Sequence, residues 1–199
     1  MAYNTPLQPH LSSRPLSRGE LCRPCSIALL LLLCLITLLP SCKPDNIQDG
    51  KATYFDLKGY FNTDIKRLSK LNHPILKSVT HNDVTETKRV IINNWELELN
   101  LFIQSDINKP AWQNSYTVEN TGNAIFYRAK TPDLKTRFIA INKNGNKIKW
   151  ILIYNYTKNM LYQTSETLSY FPDSVYIIKK YQKVRVLKAN RYLIKGFLN

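Results

Sequence analysis

The chain has 199 residues, with 28 Lys and Arg against 14 Asp and Glu, for a formal net charge of +14. Its apolar share of 44% and aromatic share of 11% exclude a solvated, disordered tail, and its length suffices for one domain with a sizeable core. So basic a balance points to an anionic partner, and the compartment decides which anion that is.

In chain order, Arg14, Arg18 and Arg23 precede an uncharged apolar run, IALLLLLCLITLL, at 27–39. Spanning a membrane takes ~20 such residues, whereas the apolar region of a secretory signal needs ~7–15 after a basic start. The run predicts export. Cys22 and Cys25 form a C-x-x-C pair, which in a cytosolic chain suggests redox or zinc chemistry. Here they lie in the leader without a second pair, and read as chance residues in a discarded segment.

The run ends in Leu39, Pro40, Ser41 and Cys42. This resembles the lipobox of bacterial lipoproteins, in which a small residue precedes an obligatory cysteine; Pro40 departs from the commonest pattern. The resemblance implies cleavage between Ser41 and Cys42, a diacylglycerol on the Cys42 thiol, and an acyl chain on the new amino group. No other cofactor is expected. It also implies the Gram-negative cell envelope. Lys43 stands where aspartate retains some lipoproteins in the inner membrane, so the expectation is the outer membrane, facing the periplasm. The envelope replaces nucleic acid with anionic lipid, lipopolysaccharide or glycan as the anionic partner. Cleavage leaves 25 basic and 13 acidic residues and no cysteine pair, so stability must come from a core.

The expected domains are a signal peptide at 1–41, the lipidated cysteine with a short polar tether at 42–52, and a single α+β domain at 53–199. Tyr54, Leu57, Phe61, Ile65, Leu68 and Leu71 recur at helical spacing, with Thr53 as N-cap and His73-Pro74 as the stop. Next, ILKSVT and VTETKRVII predict strands around a His81-Asn82-Asp83 turn. NNWELELNLFIQSD fits both periods. Asn93 with Glu96 resembles a capping box and Glu and Leu favour helix, which predicts a helix there. Glu96 and Glu98 then cannot form a carboxylate pair.

From Ser115 the pattern predicts strands at 115–119, 123–130, 135–142, 147–156, 160–170, 174–187 and 190–198. An Asn144-Gly145 turn of type I′ joins two of them. The expected fold is α+β, with one or two N-terminal helices packed on a curved antiparallel β-meander. In 147–156, Trp150, Leu152, Tyr154 and Tyr156 share one face and Ile151 and Ile153 the other, as in a strand covered on both sides.

Chemistry is sparse. His73 and His81 have no ligand-spaced partner, and no nucleophile, phosphate-loop or zinc motif is present. Tyr154, Tyr156, Tyr162 and Tyr170 read as cross-strand packing before a sugar or lipid groove. The basic C-terminus stands out. Lys179, Lys183 and Arg185 share a strand face, and Arg191 and Lys195 join them if the intervening loop has three residues rather than two. The five read as a solvated, aggregation-resisting face or as a contact for an anionic partner. These features predict a membrane-anchored binding or scaffolding module. A carrier of apolar ligands, or a hydrolase with dispersed catalytic residues, is the alternative.

Overall fold

The computed structural model describes residues 53–199. The described residues fall in one compact unit, with a core drawn from residues between Tyr54 and Leu198. Signal, lipobox, Cys42 and tether lie outside the described residues.

Helix α1 spans Leu57–Leu71 and buries Leu57, Phe61, Asp64 and Leu68. Its N-cap is Asp56, whose side chain accepts from the Gly59 amide, so the expected Thr53 cap is displaced by three residues. Aspartate both accepts that bond and places its charge at the positive end of the helix. Asn72 closes the helix in the left-handed conformation, one residue before His73-Pro74.

Strands β1 (Ile75–His81) and β2 (Val84–Val90) form the expected hairpin, with Asn82 at φ 53°. The ambiguous segment is helical, as α2 (Trp95–Glu98) and α3 (Asn100–Ile103). Its cap is Asn94, accepting from the Leu97 amide, one residue later than expected. A short 3-10 turn at Pro110–Trp112 follows. Seven strands come next: β3 (Tyr116–Asn120), β4 (Ala124–Ala129), β5 (Thr136–Asn144), β6 (Lys147–Lys158), β7 (Tyr162–Phe171), β8 (Val175–Val184) and β9 (Asn190–Phe197).

All nine strands join one antiparallel sheet in the order β2-β1-β9-β8-β7-β6-β5-β4-β3. The helices are few and the sheet dominates. The expected order of helices first and meander second needs correction. The β1–β2 hairpin precedes α2 and docks β1 against β9, so the first and last strands pair. The chain from Ile91 to Ser115 then runs from the β2 edge to the β3 edge, carrying α2 and α3 across one face.

That face, called inner here, holds the core. Across the ladders Tyr127, Ile139, Ile153, Leu168 and Ile178 form one buried row, and Ile141, Ile151, Tyr170 and Tyr176 another. Phe61 of α1 and Phe102 of α3 meet Tyr170, with ring centroids at 5.0 and 5.8 Å, and Trp95 of α2 meets Tyr176. Each such ring or branched chain, fully buried, contributes ~1.5–3 kcal/mol of transfer free energy. The outer face of β6 carries Trp150, Leu152, Tyr154 and Tyr156 opposite Ile151 and Ile153, as expected. It is not covered on both sides: Trp150, Leu152 and Tyr156 are half-buried among cross-strand neighbours, and Tyr154 is exposed.

Candidate functional site

Strand parity sorts the charges between the two faces. The β8–β9 register sets Ile177 opposite Lys195, Lys179 opposite Leu193, and Tyr181 opposite Arg191. Lys183 lies opposite Gln163 of β7 on the same side. Lys179, Lys183, Arg191 and Lys195 therefore share the outer face. Arg185, the fifth expected member, lies past the end of β8, which stops at Val184 rather than Leu187. Its amide donates to Leu161 O at 2.9 Å in the neighbouring turn. The loop has five residues, 185–189, instead of three; an odd number preserves parity, so Lys179, Lys183, Arg191 and Lys195 stay on one face while Arg185 leaves it.

Among the described residues, none of these five side chains takes part in an ion pair, and strands β1 and β6–β9 present no acid on the outer face. Arg191 lies over the Tyr181 ring, 5.9 Å from its centroid. Beside them, a shallow depression of about 340 Å³ includes Ser165, Thr167, Lys179, Tyr181 and Arg191.

Cations on the inner face are spent internally. Lys77 binds Glu98 of α2 at 2.7 Å, and Glu98 also accepts from the Tyr176 hydroxyl. Lys180 lies 3.4 Å and Lys135 3.8 Å from Glu166, a buried carboxylate. Asn155 donates to Ser105 Oγ at 2.8 Å and to Glu166 at 3.3 Å, leaving its own Oδ1 buried without a partner. This network floors a cleft of about 530 Å³, with Tyr162, Thr164 and Gln182 on its wall. The sequence offered no signal for it, because its members come from β6–β8, the loop before β5 and the turn after α3.

Asp64 accepts from Arg67 at 2.6 Å and from the Tyr170 hydroxyl, and Arg67 also reaches Asp173 at 2.6 Å. Burial, then the Asp64 charge, pushes the Tyr170 and Tyr60 hydroxyls far above the usual phenol range. Burial and Glu98 do the same for Tyr176. These groups hold α1 and α2 to the sheet. The four tyrosines considered for a groove are divided: Tyr170 is in the core, Tyr162 on the cleft wall, and Tyr154 and Tyr156 on the outer face.

His73 Nε2 lies 3.1 Å from Leu198 O, and His81 stacks on Tyr192 with its Nε2 3.2 Å from Asn190 Oδ1. Both have structural partners. Among the described residues, no group of three or more His, Cys, Asp or Glu side chains converges, and no helix is long and apolar enough to cross a membrane. Comparison with protein-family models, with curated proteins and with solved structures finds no match.

Proposed function

We propose that this chain is a lipid-anchored protein of the bacterial envelope whose domain is a binding module for an anionic membrane surface. In this reading the domain is α+β, with its helices backing a curved sheet. The observation that carries it is the segregation of cations by face. Inner-face Lys77 and Lys180 are paired, while outer-face Lys179, Lys183, Arg191 and Lys195 have no acid opposite them. A basic residue near an anionic leaflet contributes ~1 kcal/mol, so four can outweigh the loss of one partner but not of all.

The sequence before the domain supports the same reading. From Cys42 to Thr53 the backbone can reach at most about 40 Å, so a thioether anchor at Cys42 would keep the domain within that distance of headgroups. One acyl chain binds a bilayer marginally, and two or three hold it. An apolar carrier is less favoured, because the inner face is filled by the protein's own side chains.

The test uses residues 48–199 and vesicles containing phosphatidylglycerol. Binding is expected at low salt, falling as salt rises, and absent on phosphatidylcholine. Changing Lys179, Lys183, Arg191 and Lys195 to Gln removes most of it without altering the melting midpoint. Equal binding by variant and parent would end the proposal. Preference for lipopolysaccharide or an acidic polysaccharide over vesicles would move the partner from lipid to glycan.

A further inference from the structure

The turns β6–β7 (159–161) and β8–β9 (185–189) adjoin at one end of the sheet, joined by the bond from the Arg185 amide to Leu161 O. Four large apolar side chains stand out from them: Met160 is 84% exposed, Leu161 70%, Val186 86% and Leu187 64%. Single exposed apolar residues need no explanation, but four on two touching turns form a patch that marks an interaction site. Lys158, Lys183, Arg185 and Lys188 flank them in sequence, and neither 157–162 nor 183–190 contains an acid.

The opposite end differs. Its turns are Thr121-Gly122-Asn123, Gly145-Asn146 and Pro172-Asp173-Ser174, polar and partly acidic, with Asp173 held by Arg67. The first end also carries the polar β1–β2 turn at Asn82-Asp83, beside Arg191, and the β4–β5 loop with Asp133, so the apolar patch is confined to the two tips.

We propose that these two hairpin tips enter the headgroup and upper acyl layer of an anionic bilayer. The proposal rests on the membrane reading above and extends it from surface contact to insertion. Apolar tips flanked by cations suit that layer, since the side chains leave water while the cations stay among phosphates.

The backbone is prepared for it. Asn159 Oδ1 accepts from the amides of Leu161 and Tyr162 at 2.9 and 2.8 Å, the Asn159 amide donates to Tyr162 O, and the Leu187 amide donates to Val184 O at 3.1 Å. Amides already bonded within the turns lower the cost of leaving water. Tyr162, 39% exposed at the base of the first tip, has the amphipathic ring favoured at headgroup level. Insertion of this end also brings Lys183 and Arg191 to the phosphates, continuous with the outer basic face.

Residues 48–199 contain no cysteine, so single probes are clean. Leu187→Cys carrying an environment-sensitive fluorophore is mixed with phosphatidylglycerol vesicles, with Asn146→Cys as the control at the far end. Blue-shifted emission and quenching by acyl-chain nitroxide lipids are expected at 187 and not at 146. Changing Met160, Leu161, Val186 and Leu187 to Ser should weaken partitioning at high salt by at least about tenfold, with the melting midpoint unchanged.

Vesicle binding with an unchanged 187 probe would overturn insertion and leave the basic-face reading standing. A 187 shift with binding indifferent to the Lys/Arg→Gln changes would do the reverse. Absence of vesicle binding at any salt would end both. A concentration-dependent 187 shift without lipid, with dimer formation lost in the Ser variant, would assign the patch to a second copy of the chain and overturn the proposal.

Discussion

Gly196 shows how one missing side chain arranges a site. It lies opposite Tyr176 in the ladder, and a methyl there would overlap the Tyr176 ring, whose hydroxyl donates to Glu98. Gly196→Ala should therefore displace the ring and cost ~1–3 kcal/mol, read as a lower melting midpoint. An unchanged midpoint would mean that the ring rests elsewhere.

The buried phenols make a second prediction at this scale. Tyr60, Tyr127, Tyr170 and Tyr176 are all pushed up, in each case first by burial, and Tyr116 is pushed up to about 12, by burial first and Tyr54 second. Folding favours the neutral form of each, so the unfolded chain releases protons first as pH passes 10. Their contribution is complete below pH 10 and is lost as pH rises towards 12 and beyond. A tyrosinate absorbance titration should show these five lagging until the domain unfolds. A single transition near pH 10 for all tyrosines would refute the burial argument.

Among the elements, the β5–β6 hairpin corrects a rule of thumb. Asn144-Gly145 predicted the two central residues of a type I′ turn, but Asn144 pairs with Lys147 as the last rung. The central pair is Gly145-Asn146, and only Gly145 has positive φ, at 61°. A type II′ turn needs that conformation at its first position alone. No atom lies within 4 Å of a Cβ built on Gly145, so a substitution there probes backbone strain by itself. Gly145→Val should destabilise by more than ~1 kcal/mol. Equal midpoints for parent and Gly145→Val would be incompatible with this turn.

Strands were legible because alternation such as Trp150, Leu152 and Tyr154 against Ile151 and Ile153 repeats every second residue whatever lies beyond the strand. The α2–α3 segment was legible only through its capping and helix-forming residues, because Trp95, Leu97, Leu99, Leu101 and Ile103 alternate as a strand would. Its split into two four-residue helices follows from crossing a sheet face, where Trp95, Leu99 and Phe102 all reach the core.

At the scale of the whole molecule, the proposed anchor and the domain make separable demands. Cys42→Ala should abolish acylation and leave an uncut precursor, read by metabolic labelling with a clickable fatty acid; labelled Cys42→Ala protein would refute the anchor. Local sequence determined which segments become strands, which strand residues share a face, and the basic excess of the C-terminal strands, because these depend on composition and on a period of two. Tertiary structure alone decided that β1 closes against β9, that the helical crossover fills the inner face, and that Glu166 meets Asn155, Lys180 and Lys135. It also set Leu161 beside Arg185, so that two separate apolar turns became one patch. Those pairings join residues from 11 positions apart, as Asn155 and Glu166, to 121, as Leu76 and Phe197, and the burial that selects among them exists only once the sheet is assembled.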